Sequence, residues 1–585
     1  MQSRRVAVLG IDVGGTFTDA VLLDTGRVRT AKVPTALRQE ESVLAAARAV
    51  GAADAGVERF AHATTIATNA LLERRGARTA FVANEGFEHL LHLRRQTRAQ
   101  LYRPCAAHPD PLVPLDRCHG VRGRLGPRGE LEPLDLATLP ELDAPEAIAV
   151  CLLFAFRDPS HERVVADELR TRHPDAHVVA SHEVAPEFRE YERASTTAAD
   201  AYLGPVASRY LRALADGAAD AGLPEPLVMR SSGGVASVAE AASHPALILV
   251  SGPAAGVVGA GKVAALAGHA DAISFDMGGT STDVCLLRGS AAERVDERSV
   301  GGLPIRLPTV DLHTVGAGGG SIVRRDVGGA IRVGAESAGA DPGPACYGRG
   351  GPATVTDANL LLGRLPDELP GGLRLDGAAA AAALGDVDPA DAIAVVNAEM
   401  LRALRVVSVE RGHDPRGSAL VAFGGAGPLH ACALAEELGC ETVLVPAAAG
   451  VLSALGLVAS DERRDEVRSH VVPLADAGEL PSQGEARLRY RGQSFELPVA
   501  LGPDLAERFH AAHEERYGHA DREREIELVA VLTSEVTEGP PLNLLVTQCH
   551  KVSGAELVRL EGATCWVAEG WSGETDGHGT LVLRR

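Results

Sequence analysis

The apolar run Val6-Ala-Val-Leu-Gly-Ile11 ends at Asp12-Val-Gly-Gly-Thr-Phe-Thr-Asp19, and a second apolar run, Ala20-Val-Leu-Leu23, follows. Two short apolar runs around a glycine-rich polar stretch predict strand, tight turn and strand, a hairpin rather than a strand-to-helix loop. The same pattern returns as Ala272-Ile-Ser-Phe275, Asp276-Met-Gly-Gly-Thr-Ser-Thr-Asp283 and Val284-Cys-Leu-Leu287. The copies lie too far apart for a solenoid, so they predict two related domains, each opening with one hairpin. Between them, residues 39–50 and 164–172 carry helical spacing and residues 148–154 read as a buried strand. This alternation predicts α/β layers. Residues 103–140, rich in Pro, Gly and Arg, read as irregular loops, whereas 485–501, 526–533 and 580–583 alternate as strands do. The predicted organisation is an N-terminal domain over 1–200, a second over 201–465, and a smaller β-rich C-terminal region over 466–585.

Composition narrows the classes. A chain of 585 residues exceeds what a single core serves, so several structural units are expected. A net charge of -21 with only 3% aromatics lacks the basic field and stacking residues of nucleic-acid binders, and anionic lipid would repel it. The nine cysteines are scattered without a C-x-x-C pair, which points to neither a disulfide framework nor a thiolate zinc site and suits a reducing cytoplasm. The first apolar run meets Asp12 too soon for a signal peptide or a membrane span.

Glycine carries no side chain to hold an anion away, so amides in a tight Gly-Gly turn can converge on phosphate oxygens. Gly14, Gly15, Gly278 and Gly279 supply such turns, with Thr16, Thr18, Thr280 and Thr282 as hydroxyl donors. Asp12 and Asp276 stand where a carboxylate holds magnesium directly or through water. An ordinary hairpin whose aspartates bond turn amides is the alternative, weakened by two copies of D-x-G-G-T-x-T-D. A third element, Ala419-Leu-Val-Ala-Phe423, leads into Gly424-Gly425-Ala-Gly427-Pro428 and a helix-like run, a glycine loop at a helix N-terminus that a base or ribose can approach. Two rival motifs fail. Gly256 to Lys262 nearly matches a P-loop but continues with Val263 where magnesium needs Ser or Thr, and reads instead as a helix with small residues for close packing. The Gly425 to Gly427 loop lacks the third glycine and ribose-binding acid of a dinucleotide fold.

Paired hairpins followed by G-G-A-G-P resemble the acetate and sugar kinase, heat-shock chaperone and actin superfamily, in which ATP lies between two related domains. The resemblance implies two actin-like ATPase domains of ribonuclease H-like fold. Narrower stretches resemble the hydantoinase A / 5-oxoprolinase family: His62-Ala-Thr-Thr-Ile-Ala-Thr-Asn-Ala-Leu-Leu-Glu-Arg74, Pro186-Glu-Phe-Arg-Glu-Tyr-Glu-Arg193, Ser251-Gly-Pro-Ala-Ala-Gly-Val-Val-Gly-Ala260, Asp311-Leu-His-Thr-Val-Gly-Ala-Gly-Gly-Gly-Ser321 and Asp341-Pro-Gly-Pro-Ala-Cys-Tyr-Gly348. The chain departs from the family pattern at Ser232, Asp200, Gly120 and Gly123.

This resemblance implies an ATP- and magnesium-dependent enzyme that opens a cyclic amide of the hydantoin, N-methylhydantoin or 5-oxoproline type by phosphorylating its carbonyl. A subunit of an ATP-dependent ketone carboxylase is the alternative, and a non-catalytic ATP-driven conformational protein is a third reading. The implied partner is a hydantoinase B-type subunit in a hetero-oligomer. Asp12 and Asp276 are the metal-side carboxylates. His62, Thr65, Asn69, Asp311 and His313 form the polar parts of the substrate side, with satisfied buried polar groups as the alternative. Cys346 is a candidate nucleophile whose alternative is an inert buried thiol.

Overall fold

The computed structural model describes residues 7–369, 372–542, 544, 549–560 and 562–585. Strand Ala7–Val13, buried at nearly every position, lies in mid-sheet, so its apolar run is continuous rather than alternating. It pairs antiparallel with Phe17–Asp24 through the first glycine turn, with Asp12 opposite Asp19, and parallel with Val57–Thr64 on its other side. Arg27–Pro34 closes one edge. The sheet grows the other way through Leu227–Met229, Val235–Ser237, Glu462–Pro473, Ile526–Thr537, Glu485–Tyr490 and Leu497–Ala500 to ten strands.

The second hairpin, Ala272–Met277 with Thr282–Arg288, repeats the register, Asp276 opposite Asp283. Ala419–Phe423 joins it in parallel, and Thr442–Pro446, Thr580–Arg584, Ser572–Thr575 and Lys551–Ser553 continue that sheet. Between residues 64 and 227 the chain builds a separate five-stranded sheet that includes Thr79–Asn84, Ala147–Val150 and His177–Ala180.

Three differences from the expected organisation follow. The boundary at residue 200 falls inside helix Glu190–Asp220, because the chain returns to the first sheet at Leu227–Met229 only after its detour. Most strands of the 466–585 region do not form a layer of their own but extend both large sheets, covering edges that would otherwise expose unpaired backbone groups, while Glu556–Leu560 and Ala563–Val567 pair separately. Residues 103–140 contain the strand pair Cys118–Gly126 and Gly129–Asp135, whose glycines and arginines hid the alternation.

Helices Ser251–Leu266 and Leu452–Val458 pack on each other and touch both large sheets. Small residues permit it. A Cβ on Gly10 would lie 2.2 Å from the Ala454 carbonyl, one on Gly456 2.1 Å from the Ala255 carbonyl, and one on Gly256 3.0 Å from the Phe423 ring. The P-loop look-alike is thus the inside of a helix, its Lys262 paired with Asp461 at 3.6 Å. Among the described residues no helix is long and apolar enough to cross a membrane.

Candidate active site at the paired hairpins

Each glycine turn is closed by one backbone bond: Gly14 N–H donates to the Phe17 carbonyl at 2.9 Å, and Gly278 N–H to the Ser281 carbonyl at 3.0 Å. The first amide of each turn is therefore spent on the hairpin. The next two, on Gly15, Thr16, Gly279 and Thr280, have no hydrogen-bond partner among the described residues and sit on exposed tips. A Cβ on Gly15 or Gly279 would meet only open space, so the fold leaves room for a ligand at both tips. Thr18 and Thr282 differ from the expected donors. Both are fully buried, Thr18 against Thr35 at 3.1 Å and Thr282 donating to the Ala317 carbonyl at 2.6 Å.

The aspartates at the hairpin bases are half-buried, and their surroundings penalise charge. Burial, followed by the like charge of Asp19, pushes Asp12 up to about 7 although Lys32 pulls it back. Burial, Asp283, Asp12 and Asp19 push Asp276 up to about 8. Helix Ser251–Leu266 lies against both hairpins, with Gly252 beside Asp12 and Gly256 beside Phe423, the cross-strand partner of Asp276. One oxygen of Asp12, Oδ1, is buried with no hydrogen-bond partner. It lies against Gly252 at the N-terminus of helix Ser251–Leu266, where an added Cβ would come within 3.0 Å of it. A helix N-terminus favours an anion, but an acceptor left unbonded in a buried setting is costly. A divalent cation fits this arrangement, since magnesium is commonly held by one or two carboxylates together with substrate phosphates rather than by a full protein cage. Among the described residues no group of three His, Cys, Asp or Glu forms such a cage.

Asp19 is held by Lys32, whose Nζ donates at 2.8 Å, and Asp283 accepts from Thr314 Oγ1 at 2.5 Å. The third element sits where the sequence suggested. Gly424, at φ +79°, follows the strand beside Ala272–Met277, and a Cβ there would be 2.3 Å from Asp276 Oδ1. Ala426 N–H donates to the Met277 carbonyl at 3.0 Å, so the loop is bonded to the strand that carries Asp276. Gly425 is exposed, and Gly427 opens helix Gly427–Leu438. A second glycine run, unassigned from sequence, seats on the same hairpin. Gly319 and Gly320 N–H donate to the carbonyls of Gly278 and Gly279 at 2.9 and 2.7 Å. Lys32, Gly252, Thr314 and Gly318 to Gly320 are the site residues that sequence reasoning missed. Gly252, Thr314 and Gly318 to Gly320 lay within the family-like stretches, whereas Lys32 carried no signal.

The substrate-side candidates divide between the two hairpins: His62 is the cross-strand partner of Ile11, next to Asp12, and His313 that of Val284, next to Asp283. His62 is fully buried, with Nδ1 3.0 Å from the Ile11 carbonyl and Nε2 2.7 Å from the Tyr210 hydroxyl. Burial pushes it down to about 4, and with both nitrogens bonded it links strand to helix. Asp311 is bound by both ends of the Arg411 guanidinium. His313, on the same strand edge, is held below its usual range by burial and then by Arg298 and Arg411. Thr65 and Asn69 bond each other at 3.3 Å at the start of helix Ile66–Leu72. Cys346 is buried, its N–H donating to Asp357, and burial pushes its thiol up, which suits an inert residue. Of the departures from the family pattern, Asp200 accepts from Ala246 N–H at 2.8 Å and pairs with His244, while a side chain on Gly120 would strike Glu88, 2.1 Å from a Cβ.

Fold and site together define a mixed α/β protein in which two matching carboxylate-bearing glycine hairpins flank one helix, the second of them beside a strand-glycine loop-helix unit. Residues 193–466 match the hydantoinase/oxoprolinase family and residues 8–173 match the hydantoinase/oxoprolinase N-terminal region. The chain belongs to the hydantoinase/oxoprolinase family. It is 33% identical to caprolactamase subunit alpha of Pseudomonas jessenii, over 92% of this chain and 88% of that one. The crystal structure of ATP-dependent caprolactamase from that organism superposes with a TM-score of 0.86 at 29% identity, covering 99% of each chain. Arabidopsis thaliana 5-oxoprolinase 1 is 36% identical over 69% of this chain, which spans only 36% of that protein. The acetophenone carboxylase gamma subunit of Aromatoleum aromaticum is 33% identical over 75% of this chain and 66% of its own length.

Proposed function

We propose that this chain is the ATP-binding subunit of a cyclic amide hydrolase, built on two related actin-like ATPase domains whose hairpins hold the phosphates of ATP between them. The observation that carries this reading is the pair of matching hairpins, each with a carboxylate at its base and an open glycine tip, Asp12 with a buried oxygen left unbonded. Membership of a family that includes an ATP-dependent caprolactamase supports it. Asp12 and Asp276 would hold magnesium, which when bound neutralises phosphate charge. The amides of Gly15, Thr16, Gly279 and Thr280 donate to phosphate oxygens, and the Gly424 to Gly427 loop lies along the adenosine. Lys32 and Thr314 keep Asp19 and Asp283 from crowding the phosphates. A lactam carbonyl is a poor electrophile. Its oxygen takes the γ-phosphoryl group as the bond to ADP breaks, and water then adds to the activated carbon. The ring C–N bond then breaks, the nitrogen taking a proton and leaving as an amine, and a second water releases phosphate from the acyl phosphate so formed, giving a carboxylate. Catalysis here is chiefly positioning and charge stabilisation.

A B-type partner subunit completes ring opening, in keeping with the subunit naming of the caprolactamase relative. The test is lactam-dependent phosphate release by this chain with and without its partner, alongside ring-opened product. Phosphate release that needs lactam, with stoichiometric opening only in the pair, is expected. Full opening by the isolated chain would remove the two-subunit reading. The match to an acetophenone carboxylase subunit favours a second reading, ketone carboxylation. Phosphate release that depends on ketone and bicarbonate, and not on lactam, would select it.

A further inference from the structure

An open cavity of about 510 Å3 lies where the start of helix Glu190–Asp220, residues 296–306 and residues 494–496 come together, and no hairpin residue lines it. Its wall carries four arginines and four carboxylates. Enclosing ionised groups costs several kcal/mol each unless their geometry compensates, and a purely structural cluster closes up to native density. These side chains instead stand around open space. Arg306 and Arg487 are braced from behind, by Glu187 at 2.7 Å and Glu485 at 2.7 Å, carboxylates that are not part of the wall.

The remaining charges are arranged unevenly. Glu192 is gripped by Arg95 at 2.7 and 2.5 Å. Glu297 has, among the described residues, one ion pair only, to Arg306 at 3.5 Å. Burial and the like charge of Glu192 push its carboxyl up, so a cation between Glu192 and Glu297 would relieve Glu297. Arg189 gives Nη2 to Glu496 at 2.9 Å, while its Nη1 makes no hydrogen bond among the described residues, a donor at the cavity wall left for an anion. Phe495, 76% exposed, adds apolar surface to the lining.

We propose that this cavity binds a zwitterion whose ammonium and carboxylate are separated by a short aliphatic chain, the ammonium at Glu192 and Glu297 and the carboxylate at Arg189. The volume falls in the ordinary range for small-molecule sites. Opening any lactam yields one amine and one carboxylate on one chain, so, resting on the hydrolase reading, this is a seat for the ring-opened product. Free α-amino acids carry the same charges close together and are the other source of such groups.

Calorimetric titration of the full chain with 6-aminohexanoate tests it, with hexanoate and hexylamine as single-charge controls and glycine as the close-charge control. One site per chain is expected for 6-aminohexanoate, with each control weaker by about tenfold or more, the loss of one set of charge-assisted hydrogen bonds. Glu297→Gln, at a partly exposed position, is expected to weaken binding by about tenfold while the thermal midpoint and ATP binding stay unchanged. Absence of 6-aminohexanoate binding, equal binding of hexanoate or glycine, or an unaffected Glu297→Gln variant would overturn the proposal. The titration needs neither ATP nor lactam. Lactam hydrolysis without zwitterion binding therefore sinks this site alone, and zwitterion binding without lactam hydrolysis sinks the hydrolase reading alone.

Discussion

Replacing Asp12 by Asn removes a charge that the fold resists, and so is expected to raise stability while ending ATP turnover. The carboxyl rises from 3.8 to about 7 on folding, under burial and the charge of Asp19. A raised carboxyl means that the folded state holds its proton more tightly than the unfolded chain. The native state is then penalised progressively as pH climbs from 3.8 towards 7, and the full penalty applies above 7. That rise corresponds to a ceiling of about 4 kcal/mol. Asp12 keeps part of its surface in contact with water, which screens it to roughly 1–3 kcal/mol. In a chain of this size a gain of that order moves the thermal midpoint upward by a few degrees. The assay is thermal unfolding of both proteins at pH 5 and pH 8 without nucleotide, paired with ADP release in magnesium and ATP. Asp12→Asn should melt higher than the parent at pH 8, with the gap shrinking at pH 5, and should release no ADP above background. An Asn variant that melts lower at pH 8, or that turns over ATP normally, would refute the reasoning. The first result would mean that the carboxylate is bonded in a way that offsets its burial; the second, that the hairpin does not hold the cation.

Gly424→Ala forces a Cβ into the Asp276 carboxylate from a left-handed backbone position, so a loss of about 1–3 kcal/mol and a collapse of ATP turnover are expected, checked by unfolding and ADP release. Lys262→Ala should cost below about 1 kcal/mol, because its pair with Asp461 is solvent-exposed, and should leave ATPase near parental while Asp276→Ala abolishes it; equal losses would revive the P-loop reading. Asp200→Asn keeps an acceptor for Ala246 but removes the charge that, with its hydrogen bond, lifts His244 above its ordinary value against burial. A raised histidine stabilises the fold below its unfolded pKa and loses that contribution as pH rises through the folded one, so Asp200→Asn should be most destabilising in mild acid and nearly neutral in base, as read from unfolding midpoints across pH.

What the sequence alone determined is local. Strand-turn-strand patterning and D-x-G-G-T-x-T-D are written within a few residues, because hairpin register depends on neighbouring side-chain alternation and turn glycines. The two copies were legible for that reason, and so was the strand-loop-helix at Gly424 to Gly427. The helix over Gly256 to Lys262 was also legible, since a P-loop needs a particular residue after its lysine and Val263 is not one. The roles of polar residues were not legible, because charge and hydrogen bonding depend on what arrives from elsewhere in the chain. His62 looks like an active-site histidine until Tyr210 and the Ile11 carbonyl take both its nitrogens. Asp311 looks free until Arg411, far along the chain, closes on it. Conversely, Gly252 acquires a role only when the fold sets helix Ser251–Leu266 against Asp12, and Lys32 only when its strand pairs beside Asp19. Where the chain rejoins each sheet was not legible for the same reason. A sheet is completed by hydrogen bonds between strands remote in sequence, so the return at Leu227–Met229 and the division of the last strands between two sheets are decided by which edges remain open, a property of the assembled fold and not of any stretch of chain.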